Sequence, residues 1–445
     1  MRVESRLSWL AVAAGSALCA AVAAVGADAR WLGALGEAIA RAGHIPSSIP
    51  YAAAPSHDWV NVPVLGELVF HWLQAAGGDR ALIAAQAIGV ALTLTLLLRD
   101  MRAGGANDSA RALVIAVIPF AAVSALFVVR AQLFSLPLFA LMAMLLRVEA
   151  RHPSRRIWLL VPLVALWSNL HGAVLTGLVV ATVYLLLERF RFEAWTALGV
   201  LFASWGALLA TPALLRTADY YLGVLHSEPA ATGFGLWAPL SFEQPLDVVF
   251  IVFAIPLVWV AVRDRPRLWE LVCVVLLATA TVNSGRNSIW LVLFVAVPAA
   301  CGLHVRETAQ MRGVLLAAAW AVPLVLLVGA FARTPRQTVA SPALRAEAEQ
   351  IAAGRPILAD AENAEQLAVD GRRVWIANPI DAFSRTDQRA YLDWLRGTAG
   401  GDLLLLQQSV VLVDVGSAAQ RRLAQRRDFR EVARDAAAVL YRRVS

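Results

Sequence analysis

Runs of apolar residues, broken by short polar stretches, dominate the first three quarters of the chain. Eleven of them fall near the length that a bilayer demands, at roughly 8–26, 79–98, 112–129, 132–146, 157–169, 172–187, 195–210, 246–262, 268–283, 288–303 and 313–331. Two long polar interruptions stand between them, 28–78 and 211–247. The first opens on an amphipathic stretch, Ala29–Ala42. Arg30, Glu37 and Arg41 share one helical face there, and Leu32, Leu35 and Ile39 another. A Pro/Ser/Ala segment, Pro46–Pro55, follows, then a second helix over Val64–Ala76. The region 157–190 has room for two short spans only, with Ser168-Asn169-Leu170-His171-Gly172 at the turn. Polar backbone at membrane depth is tolerated where it lines a cavity, so this turn predicts a pocket opening outward.

Beyond residue 355 the pattern alternates. Pro356–Ala359, Val374–Asn378 and Val410–Val415 read as buried strands, and Glu362–Ala368, Asp387–Leu395 and Ala418–Arg426 as helices. Phe429–Ala433 and Ala437–Arg442 fit a closing hairpin around Arg434-Asp435. The chain is therefore expected to be a polytopic α-helical membrane protein of about eleven spans, residues 1–333, followed by a small C-terminal α/β domain, residues 334–445.

Composition agrees with this division. Of 445 residues, 59% are hydrophobic and only 16% charged, against roughly 25% charged in soluble domains. Thirty of the 71 charged residues fall after residue 333. All 39 basic residues are arginine. The absence of lysine excludes a Walker-type phosphate loop, a Schiff-base cofactor and a Ser-x-x-Lys nucleophile. The net charge of +7 does not indicate nucleic acid, because arginine in such a chain marks cytoplasmic turns. With the N-terminus inside, one set of turns holds sixteen arginines and the opposite set, up to residue 333, holds seven. That bias makes the loops 28–78 and 211–247 and the C-terminal domain extracytoplasmic. The run Ala23–Ala27 also fits a signal-peptidase site, and cleavage there would leave the following loop outside as well. The three cysteines, Cys19, Cys273 and Cys301, all sit in apolar runs and offer no disulfide framework. Leu18 before Cys19 argues against a lipidation signal. No His/Cys cluster has zinc spacing and no Asp-x-Asp pair is present, so neither a cofactor nor a divalent metal has support in the pattern.

Several short motifs carry a resemblance. Asp28-Ala-Arg-Trp31, Gly36, Gly43-His-Ile-Pro46, Asp58-Trp-Val-Asn61 and Leu65-Gly-Glu67 resemble the opening outer loop of bacterial membrane glycosyltransferases of the GT-C superfamily. Arg130-Ala-Gln132-Leu-Phe134-Ser135 is similar to the Arg-x-Gln-x-Phe segment of these proteins, and Trp167-Ser-Asn169-Leu-His171-Gly172 to their Asn-Leu-His-Gly turn. Ser284-Gly-Arg286-Asn287 precedes a span as their arginine-containing turn does. The resemblance implies a transferase that takes a sugar from a polyprenyl-phosphate donor at the outer face of the cytoplasmic membrane. An acidic residue of the first outer loop would take a proton from the acceptor, a glycan, lipid or protein. Basic residues at outer span ends would hold the lipid phosphate. The chain departs from the pattern at Gly26, where many relatives are acidic, and at Leu32, where they have histidine.

Each candidate has a plain reading beside the functional one. Asp28 is either a helix N-cap or the general base, well placed because it leaves the membrane beside both donor and acceptor. Asp58 is either a turn residue or a second acid, and Glu67 either an interface charge or part of the site. Arg130, Arg216 and Arg286 either snorkel to headgroups or bind phosphate, which a guanidinium fork fits. Asn169 and His171 either cap the broken helix or line the pocket. Gln132 enters through the resemblance alone. Two other functional classes stand beside the transferase: a transporter or lipid flippase, against which no internal repeat is visible, and a catalytically silent envelope scaffold, which the departures at Gly26 and Leu32 favour.

Overall fold

The structure is a computed structural model that describes residues 6–56, 58–264, 266–303, 305 and 339–444. The expected span 313–331 and His57 lie outside the described residues. The chain forms two compact units. One contains Met1–Ala24, Asp79–Thr211 and Leu236–Thr334, the other Val25–Gly78, Pro212–Gly235 and Pro335–Ser445. The long loops 28–78 and 211–247 are thus grouped largely with the C-terminal residues, across a great distance in sequence.

The first unit is a helical bundle. Its helices follow the apolar runs closely: Arg6–Val22, Gln132–Arg151, Leu160–Ser168, Val174–Leu187, Ala194–Ala207, Pro245–Arg263, Leu268–Asn283 and Ser288–Gly302. Two runs differ. The expected span 112–129 is a helix over Asp108–Ala121 that contains Pro119, breaks at Ala122 and resumes only as Val123–Leu126. A proline inside a helix removes one backbone donor and crowds the preceding turn. The expected helix 64–76 and span 79–98 are two helical segments within Val64–Ala103, separated at Gly77 and Gly78, which leave helical geometry. By length and apolar composition, four of the described helices can cross a membrane: Val64–Ala103, Gln132–Arg151, Pro245–Arg263 and Gly285–Gly302.

Aromatic packing fills the interior of this unit. Phe139 meets Trp290 at 5.3 Å between ring centroids, and Trp269 meets Tyr184 at 5.2 Å and Phe294 at 5.9 Å. The arginine-rich turns are tied together by ions. Arg147 bonds Asp100 at 2.9 Å and Glu270 at 3.3 Å, and donates to the Phe294 carbonyl at 2.6 Å. Arg189 pairs with Glu149 at 3.6 Å and Glu193 at 2.7 Å, and Arg267 pairs with Glu188. Turns that the charge bias assigned to one side therefore meet one another through ion pairs, of which Arg147–Asp100 and Arg189–Glu149 are buried.

The second unit is α/β. Its sheet has the order Leu358–Ala359, Val410–Asp414, Ala438–Arg443, Phe429–Arg434; the first pair is parallel and the others antiparallel. The hairpin lies where the sequence placed it. The strand expected at Val374–Asn378 is reduced to isolated bridges: Val374 pairs with Ile357 on one side and Ala52 on the other. Its hydrogen bonds run partly to the first loop. Val374 donates to Tyr51 O at 2.9 Å, and Ala53 and Ala54 donate to Val374 O and Trp375 O at 2.8 and 2.9 Å. A helix absent from the sequence reading, Pro342–Ala352, starts on a Ser341 cap, and Ala348 and Ala352 are fully buried. The core joins Leu35, Ile49 and Ala54 of the first loop to Leu358, Val411, Leu412 and Leu440 of the sheet.

Candidate functional site

The first loop folds as a helix pair. Gly33 and Gly36 face the second helix so closely that a Cβ on Gly36 would lie 2.1 Å from the Glu67 carbonyl, and one on Gly33 would lie 1.7 Å from the Gln74 side chain. At Gly33 the neighbour is the movable end of the Gln74 side chain, whereas at Gly36 glycine is required for the backbone approach. This contact places Glu67, which is fully buried, within the loop. Asn61 Nδ2 donates to Glu67 Oε2 at 2.7 Å, while Glu67 Oε1 has no hydrogen-bond partner. Glu67 is therefore a buried group rather than a solvated interface charge.

Asp28 is the second residue of the helix Ala27–Ala42. The N-cap is Gly26, and no side chain caps the helix, so the capping role open to Asp28 from the sequence is not the one it has. Its carboxylate sits in the first turn, where the helix dipole favours negative charge. Beside it on the same helix, buried Arg30 donates from Nε to Gln366 Oε1 at 2.8 Å and from a terminal nitrogen to Val25 O at 3.1 Å. Gln366 belongs to the helix Ala361–Val369, which thereby docks on the first loop.

That helix brings in a residue the sequence reading missed. Glu365 is fully buried, accepts from Asn378 Nδ2 at 2.6 Å and has no partner for Oε2. Burial, and then the negative charge of Asp28, push its carboxyl well above the usual range; Asn378 and Arg30 act the other way. The protonated form is thus favoured. Tyr51 lies close to both buried acids. Its phenol is pushed up by burial first, then by Glu365 and Glu67, and it donates to Asn378 O at 2.9 Å. Glu365 is thus the shared neighbour: Tyr51 faces Glu365 and Glu67, and Glu365 faces Asp28 and Arg30. The signal for Glu365 was weak but present: it falls four residues after Ala361 and three before Ala368, a charge on the apolar stripe of a short helix.

Asp58 and Arg216 come together through the backbone. Asp58 adopts a left-handed turn at φ 64, and its carbonyl, not its carboxylate, accepts from Arg216 at 3.0 Å. Arg216 also faces Asp219 at 3.9 Å, and both side chains are largely exposed. This geometry matches the turn reading of Asp58.

In the helical unit, Arg130 precedes the helix Gln132–Arg151, and its Nε is buried without a hydrogen-bond partner. Gln132 is buried one turn before Ser135. Ser135 Oγ sits 2.8 Å from His171 Nδ1 and accepts from Trp167 Nε1 at 2.7 Å. The two resemblance segments thus meet through a serine. Asn169 donates to Ala165 O at 2.8 Å and to Ala210 O at 2.7 Å, which ties its amide to the end of the helix Leu160–Ser168. Arg286 lies over the Trp237 ring at 4.2 Å, a cation–π contact that fixes its guanidinium. Among the described residues no group of three His, Cys, Asp or Glu side chains is disposed around a common point.

The chain has the fold of GT-C glycosyltransferases and is a multi-pass membrane protein. It matches ArnT from Cupriavidus metallidurans bound to undecaprenyl phosphate with a TM-score of 0.55 and 13% identity, over 98% of this chain and 97% of that one. It also matches the arabinofuranosyltransferase AftD from Mycobacteria, with a TM-score of 0.50 and 13% identity, over 99% of this chain and 42% of that one. No family model and no curated protein matches the chain.

Proposed function

We propose that the protein is an inverting membrane glycosyltransferase that moves a sugar from a polyprenyl-phosphate donor to an acceptor on the outer face of the bacterial cytoplasmic membrane. The observation that carries this reading is the grouping of Asp28 with Glu365, one carboxyl in a helix first turn and the other buried. In this proposal Asp28 takes the proton of the acceptor hydroxyl as its oxygen attacks the anomeric carbon. The bond from that carbon to the phosphate oxygen breaks, and the polyprenyl phosphate leaves with the electron pair. A neighbouring carboxyl that keeps its proton leaves Asp28 as the group that accepts one. Arg130 and Arg286 are the cations assigned to the leaving phosphate, where charge develops. Glu67, Gln132 and His171 are supporting groups; Asn169, Asp58 and Arg216 have structural partners and are assigned lesser parts. That ArnT was solved with undecaprenyl phosphate supports a polyprenyl-phosphate lipid as the donor carrier.

The topology belongs to the same proposal: about eleven spans over 1–333, a cytoplasmic N-terminus, an outer loop 28–78 and an extracytoplasmic domain 334–445. The test is mass spectrometry of lipids that co-purify with the protein from native membranes. A polyprenyl-phosphate sugar, lost when the membranes are depleted of such donors, is the expected result. A protein that carries no such lipid, and transfers no sugar when supplied with a lipid extract that contains it, overturns the reading.

A further inference from the structure

The C-terminal hairpin carries a charge problem that its own side chains do not solve. Between residues 421 and 443 there are eight arginines and three acids. The hairpin register sets Arg430 directly opposite Arg442, so the two side chains leave the same face of the sheet. Like charges facing each other across strands are destabilising. The nearby acids are taken elsewhere. Glu431 is held by Arg434 at 2.8 and 2.9 Å, Asp428 by Arg426 at 2.9 and 2.8 Å, and Asp435 by the backbone amides of Ser341, Ala437 and Ala438. Among the described residues neither Arg430 nor Arg442 makes an ion pair. Both are exposed on a strand pair whose outer member, Phe429–Arg434, is the edge of the sheet.

The surroundings are not those of a plain solvated face. Arg430, Glu431, Val432, Arg442, Arg443 and Val444 line a cleft of about 350 Å³. Val432 and Val444 are 40% and 45% exposed, and Leu406, whose carbonyl accepts from Arg443, is 52% exposed. Arginines beside exposed aliphatic side chains suit an anionic surface that also offers hydrocarbon. A guanidinium fork meets phosphodiester oxygens two at a time, and the aliphatic rim needs an apolar medium next to them. A soluble polyanion satisfies the first requirement and not the second. The chain is also tethered to a bilayer by its own helices, which raises the local concentration of any lipid surface.

We propose that this face of the hairpin, centred on Arg430 and Arg442, docks on the bilayer surface through anionic lipid headgroups, with Leu406, Val432 and Val444 entering the headgroup–acyl boundary. The proposal does not depend on transferase activity. The full-length protein in nanodiscs of phosphatidylcholine alone, or of phosphatidylcholine with phosphatidylglycerol, tests it by hydrogen exchange over 429–444. Exchange is expected to slow several-fold in the anionic discs, and to recover in high salt and in the double variant Arg430→Gln/Arg442→Gln. The variant's thermal unfolding should be no lower than the wild type's, since an unfavourable pair has been removed. Equal exchange in the two discs overturns the proposal. So does protection that survives the double substitution. Protection that appears in phosphatidylcholine discs on adding soluble polyphosphate, but not in phosphatidylglycerol discs, also overturns it and makes the cleft a polymer site.

Discussion

Replacing Asp28 by asparagine separates its two readings. The side chain keeps its size but can no longer accept a proton. The structural cost follows from its surroundings. Asp28 is not the N-cap, because Gly26 holds that position. The loss is then the favourable interaction of its charge with the helix N-terminus, about 0.3–1 kcal/mol. Against this, the change removes a negative charge beside buried Glu365 and eases the strain on that carboxyl. Net stability should therefore move by no more than about 1 kcal/mol. Turnover is expected to fall about 10²-fold or more, since a general base commonly contributes that much; this is roughly 2.7 kcal/mol on the barrier. The assay is sugar transfer from a donor lipid extract by purified protein, read by mass spectrometry, with donor binding measured alongside. Binding should persist while transfer drops. Transfer at the wild-type rate would remove Asp28 from the chemistry. Loss of the folded protein itself would show instead that the charge is structural.

Four further outcomes are expected. Gly36→Ala puts a methyl 2.1 Å from the Glu67 carbonyl, so it should cost about 1–3 kcal/mol by overpacking; unchanged thermal unfolding would contradict the helix approach. Arg130→Ala and Arg286→Ala should each weaken donor binding by roughly 1.5–3 kcal/mol if a charge-assisted bond is lost, measured by binding of the lipid phosphate to folded, inserted protein; unchanged affinity in both returns them to snorkelling. Glu365 has a raised folded-state pKa, so the folded chain binds the extra proton. Its contribution is fully present below the ordinary carboxyl value and is lost as pH rises above it. Glu365→Gln should flatten the fall in unfolding temperature on that side, and an unaltered pH profile would refute the assignment. A reporter active only outside the cytoplasm should work when fused after Ser445 and be silent after Arg102 or Arg265; the reverse pattern would sink the assignment of outer loops.

Much of the architecture was legible in the order of residues. Apolar runs longer than a soluble core needs can be satisfied only by helices that bury their own backbone bonds. The bundle helices therefore lie where the runs lie, and the hairpin around Arg434-Asp435 is set by a local turn. The amphipathic helix after Gly26 was readable in the same way, while the close approach at Gly36 emerged only in the structure. What the sequence could not supply was pairing over distance. Val374 was legible as a buried strand residue, yet its partners at Tyr51 and Ala53 lie more than three hundred positions away, and no local signal names them. Asp28 was visible as an outer carboxylate, while its neighbour Glu365 sits on a short helix near the end of the chain. Asp58 and Arg216 looked like chemistry from their residue types, and only the fold revealed that one backbone carbonyl joins them. Local propensity and hydrophobic period decide where helices and turns begin. Which charges become buried together depends on tertiary packing, because burial and the repulsion between carboxyls arise only once distant segments meet.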